Sequence, residues 1–164
     1  MGSAPTVASF QTECAMKSVN DCPEYVEMPE IEGRTIERWG RMFGARDRAI
    51  IYFDDGGCVT ISTVADCCND VWFEHIEDVG VSGGKVIGLH AKPGFEVSDD
   101  EMVGNQECED VFLFTIKTTK GDLDFEMRNS SNGYYSGTCV FDFFDARGVR
   151  DAPTFDLTHA SRYY

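Results

Sequence analysis

The sequence predicts one mainly β domain (a β-rich α+β fold): an antiparallel meander sheet or a small sandwich, with one or two short helices and extended terminal arms. Two observations lead to this fold class. Short runs rich in β-branched and aromatic residues are separated by turns that contain Asp and Gly, which favours antiparallel pairing of successive strands. A chain of 164 residues, 42% of them hydrophobic, is also long enough to bury one core without metal or disulfide support.

The chain divides into three predicted segments: an N-terminal arm (1–33), an antiparallel β domain (34–145) and a C-terminal tail (146–164). The arm holds three of the five prolines and shows no clear periodicity, so we expect it to run over a surface outside the central sheet. We also expect contacts beyond the sheet, such as those with neighbouring subunits, to order both ends. The expected apolar anchors of these ends are Phe10, Tyr25, Phe155, Tyr163 and Tyr164.

The strands are predicted from apolar runs and the turns between them. Residues 48–53 and 58–64 flank the sequence Asp-Asp-Gly-Gly, which suits a hairpin turn because Asp and Gly tolerate positive φ. In residues 123–128, apolar side chains alternate with charged ones, which indicates a strand with one buried face. The remaining predicted strands cover residues 71–76, 86–90, 110–119 and 138–143.

The helices that the sequence suits are short: one around residues 35–43, and a turn that begins with Asp66 as its N-cap. Residues 95–110 contain seven acidic residues and few apolar ones, which predicts a solvated loop. These acids lack the Asp-x-Asp-x-Asp-Gly pattern of a calcium loop, so we expect no calcium site there.

A net charge of −15 and a pI near 4.4 limit the classes of partner. Nucleic acid is disfavoured as a partner because phosphate binding requires clustered Lys and Arg. The charge allows a self-repelling monomer or a protein that docks on a basic partner, of which a DNA-mimicking inhibitor is one form. No apolar run approaches the roughly 18 residues of a membrane span, and no signal peptide is recognised, so we predict neither a membrane span nor secretion.

Two short signatures stand out: residues 65–70 (Ala-Asp-Cys-Cys-Asn-Asp) and residues 130–137 (Ser-Ser-Asn-Gly-Tyr-Tyr-Ser-Gly). Cys67 and Cys68 invite a metal hypothesis, but zinc needs four ligands, and adjacent residues of an extended chain point to opposite faces. The seven cysteines are odd in number and lack CxxC spacing, which is typical of reduced thiols. We therefore predict no metal and no cofactor, with one of these two thiols packed in the core and the other at a strand end.

The second signature allows two interpretations. Asn132 and Gly133 suit a turn of fixed backbone geometry, with Tyr134 or Tyr135 packed on the sheet. Alternatively, the glycine exposes backbone N–H groups, and the tyrosines stack on a base or a sugar of a ligand. No nucleophile elbow or other catalytic motif joins the Ser, His and Asp residues, so we predict no catalytic residue and no enzyme activity.

Basic residues are concentrated in one segment of fifteen residues, which contains Arg34, Arg38, Arg41, Arg46 and Arg48. Such a cluster on an acidic protein suits head-to-tail packing of copies or docking on an acidic neighbour. Ordinary exposed charges on a helix and a strand explain it equally well. The predicted interaction residues are Arg34, Arg38, Arg41, Asn132, Tyr134, Tyr135, Tyr163 and Tyr164.

The order of several motifs resembles a family of uncharacterised small proteins from tailed phages and other large-DNA viruses, defined only as a domain of unknown function. Its pattern includes Asp-Cys-Cys-Glu and Ser-Asn-Gly-Tyr-Tyr-Ser. The matching residues are 54–56, 66–68, 77–78, 120–121 and 131–136, within residues 34–144. Asn69 stands where the family has Glu, and no His precedes Asp66, which weakens any metal-site interpretation. The resemblance implies a viral origin but no activity.

These observations predict a non-enzymatic viral protein that is located in the virion or in the host cytoplasm. The leading interpretation is a structural or interaction component of a virion, such as a minor capsid or decoration protein. Its partners are then other viral structural proteins or copies of itself. The alternative is a small counter-defence protein that binds a host enzyme, or a nucleotide-like ligand near Tyr134 and Tyr135.

Overall fold

Strands make up the regular structure of this protein, whose computed structural model describes residues 25–26, 30–42, 47–65, 67–92, 94–134 and 137–146. No helix occurs within these ranges, and hence none that could cross a bilayer. The strands are β1 (Tyr25–Val26), β2 (Ile36–Met42), β3 (Arg48–Phe53), β4 (Cys58–Val64), β5 (Asp70–Asp78), β6 (Val86–Ala91), β7 (Phe95–Glu96), β8 (Cys108–Thr118), β9 (Asp122–Ser131) and β10 (Thr138–Phe144).

The strands form two antiparallel sheets. The larger sheet has six strands in the order β1-β6-β8-β9-β5, with β7 also paired to β8, and the smaller sheet has the order β10-β4-β3-β2. The chain passes from the smaller sheet to the larger one after β4 and returns for β10. Strand β5 therefore pairs with β9, and β10 pairs with β4. This arrangement corresponds to the predicted sandwich and not to a single meander.

The inner faces of the two sheets share one hydrophobic core. Phe114 of the larger sheet stacks on Phe125, with ring centroids 4.5 Å apart, and meets Phe141 of the smaller sheet edge-on at 6.0 Å. Full burial of such a ring contributes about 1.5–3 kcal/mol to folding. Aromatic contacts between the sheets therefore join them into one unit.

Most of the predicted strands are confirmed. Strands β3 and β4 have the predicted bounds, and in the turn between them Gly56 has φ +84°, which glycine adopts without steric cost. Asp55 fixes this turn by accepting the backbone N–H of Gly57 at 2.9 Å. In β9 the apolar residues Leu123, Phe125 and Met127 are buried, as the alternation predicts.

The helix predicted around residues 35–43 is wrong, because Ile36–Met42 forms strand β2. This strand pairs with β3, and a bulge between Ile36 and Arg38 shifts the register of the pairing. The bulge interrupts the alternation of buried and exposed residues by which a strand is recognised in a sequence. The other predicted helical turn begins at Asp66, which lies outside the described residues.

Two segments that were expected outside the sheet take part in it. Tyr25–Val26 pairs with β6, with Tyr25 opposite His90, so the N-terminal arm does not lie wholly outside the central sheet. Phe95–Glu96 pairs with β8, so the predicted loop contributes a short strand. These short strands provide hydrogen-bond partners for the N–H and C=O groups of the strands beside them. Such backbone pairing cannot be recognised from the pattern of side chains. The division into arm, domain and tail stays a prediction.

Candidate interaction site

The two signatures of the sequence lie side by side in the fold. Strand β5 begins at Asp70, directly opposite Ser130 of β9, and Cys108 of β8 lies opposite Ser131. Strand pairing thus joins the turn before β5, the loop before β8 and the turn after β9 at one end of the larger sheet. We term this region, comprising residues 67–71, 103–111 and 128–134, the signature end.

A chain of polar side chains closes the core at the signature end. Asn69 donates to the side-chain carbonyl of Asn129 at 2.7 Å, and Asn129 donates to the Asp110 carboxylate at 3.5 Å. Both asparagines are buried. Burial raises the pKa of Asp110, the hydrogen bond from Asn129 opposes this rise, and the nearby Glu96 carboxylate adds to it. Paired buried amides fix the relative positions of the segments that carry them.

On the other face of the sheet, Glu109 anchors the loop that precedes β8. Its carboxylate is fully buried: one oxygen accepts from Arg128 at 2.6 Å, and the other accepts the backbone N–H groups of Val103 at 2.9 Å and Gly104 at 2.6 Å. Burial raises the pKa of Glu109, but the Gly104 N–H, the Arg128 guanidinium and the Val103 N–H together lower it below its usual value. Glu109 is therefore an ionised structural anchor.

The turn after β9 presents Tyr134 to solvent. Its backbone is fixed by hydrogen bonds from the Gly133 N–H to Ser131 Oγ at 3.1 Å and from the Tyr134 N–H to Asn132 Oδ1 at 3.2 Å. Gly133 has φ +81°, which confirms the predicted turn geometry. Tyr134 is 90% exposed and does not pack on the sheet, whereas Tyr135, the other tyrosine of the structural interpretation, lies outside the described residues.

Two further exposed apolar side chains are attached to the signature end. Phe95, in the strand paired to Val111, is 51% exposed, and Val103, bonded through its N–H to Glu109, is 59% exposed. The signature end thus combines an anchored backbone with apolar side chains available to a partner.

The predicted placement of Cys67 and Cys68 is wrong. Both residues are exposed, and their Sγ atoms lie 3.4 Å apart because the chain turns here, with Cys68 at φ +80°. The expectation that they point to opposite faces assumed an extended chain. The Cys68 carbonyl accepts a hydrogen bond from the Gln106 side chain at 2.8 Å, which connects this turn to the loop before β8. Within the described residues no group of three or more His, Cys, Asp or Glu is arranged to hold a metal ion.

The predicted basic residues lie around the smaller sheet and not at the signature end. Arg34 forms a two-point ion pair with Asp55, at 2.7 and 3.0 Å. Arg41 pairs with the buried carboxylate of Asp47 at 2.6 Å. The Arg38 side chain is 52% exposed, with its guanidinium 4.4 Å from the centroid of the Tyr52 ring. Arg34 and Arg41 thus stabilise the fold, whereas Arg38 is open to a partner.

The other predicted interaction residues are distributed as follows. Asn132 and Tyr134 lie together on the turn after β9. Tyr135, Tyr163 and Tyr164 lie outside the described residues, as do Phe10, Arg46 and Phe155.

A shallow acidic depression of about 330 Å³, which the sequence analysis missed, lies on the face of the larger sheet that points away from the core. It is lined by His75, Glu77, Lys92, Leu113, Thr115, Asp124 and Glu126, together with Phe114 and Phe125. Glu77 of β5 lies directly opposite Asp124 of β9, so two carboxylates face each other. The alternation in β9 indicated that Asp124 and Glu126 point outward, but no sequence signal indicated which strand lies beside them.

Comparison with known proteins relates most of the described fold to one family. Residues 30–141 match the model of a family described as a domain of unknown function, DUF7448. The chain is also 34% identical, over 91 residues, to an uncharacterised protein of Acanthamoeba polyphaga mimivirus; the match covers 54% of this chain and 71% of that protein. No solved structure matches the chain.

These matches confirm the coarser part of the predicted resemblance, namely an uncharacterised domain family with a member in a large DNA virus. The family segment contains strands β2 to β9 and both signatures. The individual motif correspondences stay a prediction.

Proposed function

We propose that this chain, which belongs to the DUF7448 family of domains of unknown function, is a non-enzymatic viral protein that binds other proteins as a component of the virion. A minor capsid or decoration protein is the form we favour. Its partners are then other viral structural proteins or further copies of this chain, and its location is the particle. The similarity to a mimivirus protein supports the viral part of the proposal.

One observation carries the proposal: an aromatic ring is presented to solvent on an anchored turn. Tyr134 is 90% exposed, and two hydrogen bonds fix the backbone beneath it. Tyrosine is enriched among the residues that supply most of the binding energy at protein interfaces. A turn that is already fixed also loses little conformational entropy when a partner binds. This geometry suits a contact with another protein surface.

The groups beneath the turn support a non-enzymatic assignment. Glu109 is fully buried, and both of its carboxylate oxygens accept hydrogen bonds from Arg128 and the loop backbone. Asp110 lies beside Asn129, within the chain of side chains that closes the core. An acid or base catalyst must reach the proton that it transfers. Burial and pairing of these carboxyl groups fit a supporting role better.

A second candidate function is a counter-defence protein that binds a host enzyme in the cytoplasm, and the acidic depression favours it. Glu77 and Asp124 lie opposite each other there, with Glu126 in the same lining, and such a group of carboxylates suits a cationic partner. Enzymes that act on nucleic acids carry basic surfaces of the required sign. The same candidate includes binding of a nucleotide-like ligand on the ring of Tyr134.

Quantitative mass spectrometry of purified particles and of the soluble fraction of infected cells separates the two candidates. A virion component is present in particles at a fixed ratio to the major capsid protein. A counter-defence protein is recovered from the soluble fraction and is absent from washed particles. That second outcome would refute the proposed function in favour of the alternative.

A further inference from the structure

We propose that Cys67 and Cys68 form a modification site: a vicinal dithiol that hydroperoxides convert reversibly into an intramolecular disulfide. The proposal is independent of any virion role, since it concerns a reaction of the chain itself. It rests on the geometry of the turn before β5, on the exposure of both thiols, and on the contrast with the buried cysteines.

The turn holds the two sulfur atoms next to each other. The Sγ atoms of Cys67 and Cys68 are 3.4 Å apart, and both residues are exposed. Among the described residues, Cys68 alone has a positive φ without being glycine, at +80°. A positive φ is disfavoured for a residue that carries a side chain, and this backbone conformation persists only where surrounding contacts fix it.

Contacts on both sides fix this turn. The Cys68 carbonyl accepts from the Gln106 side chain at 2.8 Å. The next residue, Asn69, is buried and donates to Asn129 of β9 at 2.7 Å. The turn is thus held by the loop before β8 and by strand β9, so the proximity of the thiols is built into the fold.

Closure of the disulfide needs a local movement, and its product is easily reduced. The sulfurs must approach from 3.4 Å to the ~2.05 Å of an S–S bond, which requires rotation of the two side chains and adjustment of the peptide unit between them. Consecutive Cα atoms are ~3.8 Å apart across a trans peptide, which is shorter than the ~4.4–6.8 Å of ordinary disulfides. A bond between adjacent cysteines is therefore strained, and strained, exposed disulfides are the labile ones.

The reaction is a balanced two-electron oxidation. One thiolate attacks the O–O bond of hydrogen peroxide, keeps one oxygen as a sulfenic acid and expels the other as hydroxide. The neighbouring thiolate then attacks the sulfenic sulfur, so that the S–S bond forms and the S–O bond breaks with loss of a second hydroxide. Both hydroxides take up the protons released by the thiols. Two thiols and one peroxide thus give one disulfide and two waters.

Cys58 and Cys139 provide an internal contrast. Both are buried in the smaller sheet. Burial raises the pKa of each thiol, and for Cys58 the nearby Arg34 opposes part of the rise. Oxidation requires an accessible thiolate. These two residues are expected to stay reduced in the folded protein while the exposed pair reacts.

Peroxide treatment of the reduced full-length protein, followed by intact-mass measurement and peptide mapping, tests the proposal. We expect a loss of about 2 Da per chain, reversed by dithiothreitol, with the link mapped between Cys67 and Cys68. The variants C67S and C68S should each abolish this change. C108S, which alters a third cysteine of the signature end, should leave it intact.

Three results would overturn the proposal. The first is a link from Cys67 or Cys68 to Cys14, Cys22 or Cys108. The second is independent oxidation of the two cysteines to sulfinic acids without loss of hydrogen. The third is persistence of the 2 Da loss in a folded C67S or C68S variant. If a variant fails to fold, the peptide map of the wild-type protein alone decides between these results.

Discussion

The side chains of Arg41 and Asp47 clamp the smaller sheet to the larger one. They form a two-point ion pair, with Nη2–Oδ2 at 2.6 Å and Nε–Oδ1 at 3.1 Å. The Asp47 carboxylate also accepts the backbone N–H of Phe73 in β5 at 2.8 Å, and Arg41 donates to the Phe73 carbonyl. An arginine that the sequence suggested as a docking residue thus has a structural task between the sheets.

Asp47→Ala should destabilise the protein strongly. Loss of the buried carboxylate leaves the part-buried Arg41 charge and the Phe73 N–H without this partner, and breaking a buried ion pair in this way costs about 3–5 kcal/mol. Urea unfolding followed by tryptophan fluorescence measures the change in free energy.

Asp55→Ala is the matched control, since it removes a carboxylate that likewise pairs with an arginine and accepts one backbone N–H, that of Gly57, but lies at the surface. Exposed ion pairs contribute about 1 kcal/mol or less. Equal effects of the two substitutions would show that the Arg41–Asp47 pair does not clamp the sheets.

Gly133→Val should destabilise the domain by about 1 kcal/mol or more, because a β-branched residue is strained at φ +81°. Steric contact is not the reason: the nearest atom to an added Cβ is Cys108 Sγ, at an ordinary 3.6 Å. Gly133→Asn should cost less, since Asn tolerates this conformation better. Thermal unfolding compares the two variants, and an equal loss for Val and Asn would contradict a backbone origin.

Replacing the neighbouring carboxyl groups of Asp110 and Glu109 by amides should change the stability of the protein in opposite directions at neutral pH. Asp110 has a raised pKa, chiefly through burial, so its ionised form is disfavoured in the folded state. Asp110→Asn should therefore stabilise the protein at neutral pH, and the gain should disappear in acid, where the wild-type carboxyl is protonated in both states.

The Glu109 carboxyl has a lowered pKa, so its contribution is present above the unfolded-state value and is lost as the pH falls through the folded-state value. Glu109→Gln should accordingly destabilise the protein at neutral pH, with a penalty that shrinks in acid. Melting temperatures of both variants between neutral and acidic pH check the signs. Parallel curves for the two variants would contradict the assignment.

How much of this fold the sequence reveals depends on the local regularity of each strand. Strand β9 was predictable because Leu123, Phe125 and Met127 alternate with charged residues. Strand β2 was not, since the bulge at Ile36 and Arg38 breaks the alternation. Pairing between β5 and β9 is a long-range contact that no local pattern encodes.

The candidate site was predictable in part for the same reason. The Asn132-Gly133 pair predicts the turn under Tyr134, because only a few residue types favour positive φ. Cysteine has no preference for positive φ, so no signal in the sequence indicated that the sulfur atoms of Cys67 and Cys68 lie close together. The contacts of Arg41 and Asp47 with Phe73 depend on packing between the sheets, which the sequence does not specify locally.

The effect of truncating the N-terminal arm on stability should depend on whether the deletion includes strand β1. Removal of residues 1–24 leaves every described strand, whereas removal of residues 1–30 takes away β1 and exposes the edge of β6. Unpaired strand edges promote association between chains. The longer deletion should therefore aggregate more readily in light scattering and melt at a lower temperature. Identical behaviour of the two truncations would show that β1 does not protect the sheet.

The most direct measurement of the central claim is the copy number of a Tyr134→Ser variant in purified virus particles, set against that of the wild-type chain. Val79→Ser is the matched control, because Val79 is also exposed, at 57%, but lies beside Asp122 at the other end of β9. We predict wild-type and Val79→Ser chains in particles at the same fixed ratio to the capsid protein, and a Tyr134→Ser chain that folds normally but is depleted about tenfold. Absence of the wild-type chain from particles, or undiminished incorporation of Tyr134→Ser, would contradict the account.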